Sequence, residues 1–200
     1  MAQGIIVELA VPDDPFLDVF CCGQARVDHY FRNRKWFAEQ SKGGSLTTYV
    51  FRAGESGAPV GYAAVRFRNQ PHPDDASSSK AKVLVISMLG VDQAFQGQSN
   101  PLAEDQSYAA SVMADLEERA RSKSNCVAMK LWVRSTNARA IGFYTKVGFV
   151  TDPAGPFQLD DGDPMLRKLW TTGRQWKLSL APTGSSALSQ VSLRGCPESP

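Results

Sequence analysis

The chain has 200 residues, 42% of them hydrophobic, enough for one domain of about 150 residues and a tail but not for a second catalytic domain. A formal charge of +2 and a pI near 8.4 neither demand nor exclude a polyanionic partner. Cys21, Cys22, Cys126 and Cys196 show no paired Cys-x-x-Cys spacing, and His29 and His72 do not accompany them, so the pattern argues against a metal site and for reduced thiols.

The apolar run from Ile5 to Val11 is interrupted by Glu8 and followed by Pro12, without a basic leader or cleavage site. No secretion or membrane span is expected, and the setting expected is cytoplasmic. Asp13, Asp14 and Pro15 read as a helix entry. Val27, Tyr30, Phe31, Arg34, Phe37 and Ala38 follow at helical spacing up to Gly43 and Gly44, so the first third reads as helical. Arg26, Arg32, Arg34 and Lys35 make that helix basic, either as a solvated face or as a surface for RNA phosphates. Leu46 to Ala53 and Val60 to Arg68 read as a hairpin around the turn formers 54–59, and 71–79 as a loop. The nearly continuous apolar run from Lys82 to Val91 is a strand buried on both faces.

A polar stretch, Asp92 to Asp105, leads into an amphipathic helix carrying Val112, Met113, Leu116 and Ala120. Val127, Met129, Leu131 and Val133 then alternate with Ala128, Lys130, Trp132 and Arg134, the pattern of a strand with one face toward a core. Ser135, Thr136 and Asn137 supply side chains that can cap a helix start, and Gly148 suits the left-handed position after its end. This succession is α/β with one central sheet. Residues 1–170 read as the domain and 171–200, where Gly, Ser, Pro and Leu mix without period, as a flexible tail.

Asn137, Ala140, Phe143, Tyr144, Gly148 and Phe149 form an Asn-x-x-Ala-x-x-Phe-Tyr-x-x-x-Gly-Phe pattern that resembles the closing motif of the GNAT acyl-CoA N-acyltransferases. The resemblance spans residues 16 to about 170. It implies the GNAT fold, a mixed sheet flanked by helices, with acetyl-CoA as cosubstrate, a primary amine as acceptor, and Tyr144 as the acid for the departing thiolate. In that family the cofactor pyrophosphate rests on amides of a loop patterned Gln/Arg-x-x-Gly-x-Gly/Ala. A helix N-terminus suits an anion because its amides and dipole point that way.

The loop begins as Val91-Asp92-Gln93-Ala94-Phe95-Gln96-Gly97-Gln98 and then departs, with Ser99 and Pro101 where small residues are expected. Treating residues 99–106 as an insertion places Ser107-Tyr108-Ala109 in the Gly-x-Gly/Ala position and keeps the following helix in phase. It also sets Glu104 and Asp105 near the phosphates. The resemblance thus assigns Leu89, Gly90, Val91, Gln96, Gly97, Gln98, Ser107, Tyr108, Ala109 and Asn137 to the cofactor, the amides around Leu89 to Val91 serving the acyl carbonyl. The other reading of so irregular a loop is a cofactor-free interaction or RNA-binding module on the same fold.

Phe20-Cys21-Cys22-Gly23 and Val27-Asp28-His29-Tyr30-Phe31-Arg32 are similar to the opening of the GNAT-fold toxins encoded with antitoxins, as are Tyr49-Val50, Val60-Gly61-Tyr62, Gly148-Phe149 and Asp152-Pro153. Those toxins acetylate aminoacyl-tRNA, so tRNA, an antitoxin and a second copy of the chain become candidate partners. Ser87-Met88-Leu89-Gly90-Val91-Asp92 departs from the subgroup's Gly-Arg-Leu-Ala-Val-Asp in lacking the arginine. Full proton transfer from a tyrosine of ordinary pKa to a thiolate is uphill by about 2 kcal/mol. A lysine acceptor needs about 4.6 kcal/mol to be neutral at pH 7 and an α-amine only about 1 to 1.4 kcal/mol, so an α-amine needs less help from a base. His29 and Asp92 are the candidate bases, each with an ordinary structural role as the alternative.

Overall fold

The computed structural model describes residues 4–43, 45–54, 57–70, 80–103, 106–152 and 163–169. Part of the expected hairpin turn (55 and 56), the loop 71–79, Glu104, Asp105, Pro153 and the tail 171–200 lie outside the described residues.

Seven strands form one sheet in the order β1-β2-β3-β4-β5-β7-β6. They are β1 (Ile5–Leu9), β2 (Leu46–Ala53), β3 (Ala58–Gln70), β4 (Ala81–Val91), β5 (Cys126–Val133), β6 (Val150–Thr151) and β7 (Asp163–Lys168). Neighbours are antiparallel except β4 and β5, which run parallel. Helices α1 (Ala25–Arg32) and α2 (Lys35–Ser41) cover one face, α3 (Tyr108–Ser122) and α4 (Ala138–Lys146) the other.

The alternation of strand side chains sets these layers. Phe51, Ala63, Leu84, Ile86, Met129 and Leu131 join Val112, Met113, Leu116 and Ala120 of α3 in one core. Val50, Tyr62 and Ala64 turn the other way, onto Phe20, Phe31 and Trp36. Full burial of side chains this large is worth about 1.5–3 kcal/mol each, so the two cores fix which face every strand presents.

The N-terminal third differs from the helical expectation. The run after Gly4 pairs with β2 as an edge strand, and Asp13-Asp14-Pro15 starts only a 3-10 turn over Pro15–Leu17, with Asp14 accepting from the Phe16 amide at 3.0 Å. The helical run breaks at Arg34, whose φ of +50° is left-handed. Its guanidinium holds the Pro12 carbonyl at 3.1 Å and Asp18 at 2.6 Å. Those long-range bonds compensate a conformation that costs a non-glycine residue of order 1–3 kcal/mol, and local periodicity does not report them.

Two irregularities shape β4. Ala64 pairs Met88 and Val65 pairs Ile86, which leaves Ser87 as a bulge; a bulge bends its strand and sharpens the twist. The parallel ladder with β5 runs from Lys82–Cys126 to Ile86–Leu131 and stops there, although β4 continues to Val91 and β5 to Val133. A second register shift, between Lys82 and Val83, turns Val127 away from the face of Cys126 and Met129. Ala128 and Lys130 on the reverse face of β5 are buried as well, so this strand is covered on both sides and not on one.

Candidate active site

Where β4 and β5 part, a cavity of about 570 Å³ opens. Its walls are β4 from Ile86 to Val91, β5 from Leu131 to Val133, the segment Cys22–Val27, and residues at the starts of α3 and within α4. Strand backbone that has lost its ladder partner must bond to something else or be solvated. A cavity lined by such backbone suits a ligand with its own amides and carbonyls.

Of the residues read as cofactor-binding, Leu89, Gly90, Val91, Gln96, Gly97, Ser107, Ala109 and Asn137 line this cavity, as does Tyr144. Gln98 and Tyr108 do not. Gln98 is exposed and gives its carbonyl to the Tyr108 amide at 3.1 Å, while the Tyr108 ring packs edge-on against Phe95 at 5.0 Å. Tyr108, between the cavity-lining Ser107 and Ala109, packs its ring against the core.

The irregular loop resolves as an insertion closed at its base. Ser99 and Ser107 form an antiparallel bridge flanked by Asn100 N–H to Gln106 O at 2.7 Å and Tyr108 N–H to Gln98 O. The described residues of 99–106 lie outside α3, which begins at Tyr108 with Ser107 as its cap, Oγ accepting from Ala110 at 3.3 Å. Gly97, at φ +77°, has nothing within 4 Å of the position a Cβ would take. Glycine there leaves backbone open to an approaching group, and the dipole of α3 favours an anion beside Ala109.

Asn137 caps α4, its Oδ1 accepting from the Ala140 amide at 3.1 Å, and Gly148 ends the helix turn at φ +91°. This places the Tyr144 ring between Phe143 and Phe149, at 5.5 and 5.8 Å. Burial, with Cys22 nearby as the second cause, pushes the phenol up to about 12, and burial followed by Asp28 pushes the Cys22 thiol up strongly. Both groups keep their protons at neutral pH.

Neither base candidate stands in the cleft. The Asp92 carboxylate accepts from the Cys21 amide and the Ala94 amide, both at 3.0 Å, so it fastens the turn after β4. His29 is exposed on α1, its Nδ1 2.9 Å from Asn33 Nδ2. It lines a second cavity with Arg26, Tyr30, Lys35, Glu39 and Met88, and this cavity shares Arg26 and Met88 with the first. The basic helix face is smaller than expected, because Arg32 donates to the Phe20 carbonyl at 2.6 Å and Arg34 is held as above. Arg26 and Lys35 line the second cavity.

Cavity residues that the sequence reading did not assign include Cys22, Val27, Ser87, Trp132 and Arg139. For Ser87 a signal existed, a hydroxyl in the middle of an apolar strand. Cys22 and Cys126 are free and buried. Cys21, in contrast, is disulfide-bonded, a departure from the expected reduced thiol; adjacent side chains of extended backbone point opposite ways, so only Cys22 turns inward. Among the described residues no cluster of three or more His, Cys, Asp or Glu could hold a metal ion, and no helix is long and apolar enough to cross a membrane.

A family model described as "Acetyltransferase (GNAT) family" matches residues 17–149. No curated protein matches the sequence. Among solved structures, one described as a bacterial toxin superposes with a TM-score of 0.64 at 17% identity, covering 84% of this chain and 92% of that one. AtaT complexed with acetyl-methionyl-tRNAfMet gives 0.57 at 16% identity, over 82% and 94% of the two chains. AtaTR bound with AcCoA gives 0.56 at 14%, over 83% and 94%. At such identities the likeness is one of fold.

Proposed function

Because the chain belongs to the GNAT acetyltransferase family, we propose that it transfers an acetyl group from acetyl-CoA to a primary amine in the cleft between β4 and β5, with residues 1–170 as the catalytic domain and 171–200 as an appended tail. The observation that carries this reading is the end of the β4–β5 ladder at Ile86 and Leu131, with Tyr144 on the wall of the space it opens. The cleft fits the cosubstrate: strand backbone along Leu89 to Val91 that is paired with β3 but has no ladder partner on its β5 side, an open glycine at Gly97, and the N-terminus of α3 at Ser107 and Ala109.

Acetyl-CoA supplies an activated acetyl thioester. The chain supplies its surroundings. Amides of Leu89 to Val91 hold the carbonyl end by hydrogen bonding and favour negative charge on its oxygen. The start of α3 holds the pyrophosphate. The neutral amine attacks the carbonyl carbon, the C–S bond breaks as the C–N bond forms, Tyr144, fully protonated at neutral pH, gives its phenolic proton to the sulfur that leaves, and the proton shed by the amine nitrogen restores the phenol. Its raised pKa makes complete transfer costlier than for an ordinary tyrosine, so the donation works as a strong hydrogen bond that completes as the thiolate forms.

The acceptor reading follows from the base positions. Asp92 and His29 are both occupied away from the cleft, so an amine that is neutral near physiological pH is favoured, which an α-amine is and a lysine is not. Aminoacyl-tRNA carries such an amine. Its support is the fold shared with AtaT, solved with acetyl-methionyl-tRNAfMet, together with Arg26 and Lys35 at the adjoining cavity. An antitoxin or a second copy of the chain would be partners on the same analogy.

Calorimetry with acetyl-CoA, followed by mass spectrometry of free amino acids, peptides and aminoacyl-tRNA incubated with the protein and cosubstrate, tests this. Heat of binding and acetylation confined to α-amines are expected. No heat and no melting shift at millimolar acetyl-CoA removes the enzyme reading, since a ligand at a hundred times its Kd stabilises by about 2.7 kcal/mol. Acetylation of lysine side chains alone removes the α-amine reading.

A further inference from the structure

The segment Phe20–Val27 is pressed onto β4 at Gly90. A methyl group at Gly90 would lie 2.8 Å from Phe20 Cζ, 2.9 Å from Val27 Cγ1 and 3.2 Å from Cys22 Cβ. Cys22 and Val27 also line the cleft, beside Leu89, Gly90 and Tyr144. The reacting end of the cleft is thus closed on the α1 side by a thiol and an isopropyl group.

This wall is fastened. The Cys22 amide donates to Asp28 Oδ1 at 2.7 Å, and Gln96 Nε2 donates to the carbonyls of Cys22 and Val91, both at 2.8 Å. The Gln93 amide donates to the Cys21 carbonyl at 2.8 Å, and the Cys21 amide to Asp92 Oδ2 at 3.0 Å. Behind it, Phe20 is buried and stacked edge-on against Phe31 and Tyr62 at 5.8 and 5.0 Å. Buried Asp28, together with Asp92 and the Gln96 side chain, holds residues 21 and 22 against the end of β4. A wall built this way yields little when a larger group presses on it, because close-packed interiors transmit strain instead of absorbing it.

We propose that Val27 and Cys22, held against Gly90, set the acyl-chain limit of the site, so that it accepts acetyl and excludes chains of four carbons or more. The proposal rests on the acetyl-CoA reading above and adds to it the residues that choose the acyl group. Cys22 acts by bulk: its buried side chain fills the volume that the third and fourth carbons of a longer acyl chain would need. One unaccommodated methylene in a shaped apolar pocket changes selection by about 10- to 200-fold.

Titration calorimetry with free CoA, acetyl-CoA, propionyl-CoA and butyryl-CoA tests it, on the wild-type protein and on Val27→Ala and Cys22→Ala. Wild type is expected to bind butyryl-CoA at least about tenfold more weakly than acetyl-CoA, and each variant to bring the two within about threefold of each other. Free CoA should bind all three proteins alike, and circular dichroism should show an unchanged fold. Equal wild-type affinity for acetyl-CoA and butyryl-CoA overturns the proposal, and so does an unchanged ratio in both folded variants. Failure of wild type to bind even free CoA or acetyl-CoA is a different result, which removes the acetyltransferase reading and the proposal with it.

Discussion

Ile86 and Leu131 are the last residues that β4 and β5 hold side by side. One residue further along β4, Ser87 bulges out of the ladder with β3, its hydroxyl accepting from Arg66 Nε at 3.1 Å. The bend and the end of pairing coincide, which is how a mostly regular sheet acquires a cleft without a loop insertion. Each part of the candidate site then arrives at that cleft on or beside a helix: Tyr144 on α4, Ser107 and Ala109 at the start of α3, Cys22 on the segment entering α1 and Val27 in the first turn of α1.

Replacing Tyr144 by Phe removes a hydroxyl and keeps the ring between Phe143 and Phe149. Among the described residues no hydrogen-bond partner for that hydroxyl is present, so its loss should leave stability within about 0.5 kcal/mol of wild type. Turnover should fall by about a hundredfold or more, the usual contribution of a positioned proton donor. Calorimetry should show acetyl-CoA binding retained. Wild-type turnover in the folded variant would make Tyr144 a packing residue.

The pH dependence separates the acid from the acceptor. With the phenol pushed up to about 12 from an ordinary value near 10, activity should rise as the acceptor amine loses its proton and should show no descending limb at the ordinary tyrosine value. The raised pKa also means that the native state holds this proton more tightly than the unfolded chain. That stabilisation is fully present below about pH 10 and is lost as pH climbs through about 12. Asp92→Asn and His29→Ala should leave the ascending limb of kcat/KM where it is in wild type. A shift of that limb in either variant would reinstate the residue as a base.

Local signals were strong enough to place β2 to β5, α3 and α4, because apolar periodicity, the caps at Ser107 and Asn137 and the stop at Gly148 are encoded within a few residues. The excursion at 99–106 was legible from the family's loop pattern together with the helix phase of Val112, Met113 and Leu116. What the sequence hid depends on distant partners. The break at Arg34 rests on Pro12 and Asp18, and β1, β6 and β7 are short strands whose pairing partners define them. The roles of Asp28 and Gln96 in fastening Cys22 need contacts 6 and 74 residues away. Gln98 and Tyr108 occupy consecutive motif positions, yet contacts the motif does not encode turn them from the cavity wall: the Gln98 carbonyl takes the Tyr108 amide and the Tyr108 ring packs on Phe95.

The insertion is anchored through Asn100, which is 3% exposed. Its Nδ2 donates to Ser111 Oγ at 3.0 Å, inside the first turns of α3, and its Oδ1 accepts from the Leu102 amide at 3.1 Å. Asn100→Ala leaves the fully buried Ser111 hydroxyl without this partner, at a cost of about 1–3 kcal/mol. Urea denaturation should show that loss, with acetyl-CoA affinity changed by less than about threefold, since Asn100 is not on the cleft wall. A larger loss of affinity at retained stability would mean that the insertion itself contacts the cosubstrate.

Asp14 makes a heavier demand on stability. Its side chain is fully buried and accepts from Arg52 Nη2 at 2.8 Å, from the Tyr62 hydroxyl at 3.0 Å and from the Phe16 amide. Through these bonds the N-terminal segment is tied to β2 and β3, beneath the aromatic cluster of Phe20, Phe31 and Tyr62. Asp14→Ala strips a partly buried cation and a buried phenol of their acceptor; breaking a fully buried pair costs about 3–5 kcal/mol, an upper bound here. Arg52 keeps Glu8 at 2.9 Å, on a half-exposed carboxylate, which argues for the lower end, about 3 kcal/mol. Asp14→Asn preserves one acceptor oxygen and should lose less than Asp14→Ala. Urea midpoints in that order, with activity per folded molecule unchanged, are the expected result; a loss below about 1 kcal/mol in Asp14→Ala would show that solvent reaches Arg52 and Tyr62 once the carboxylate is gone.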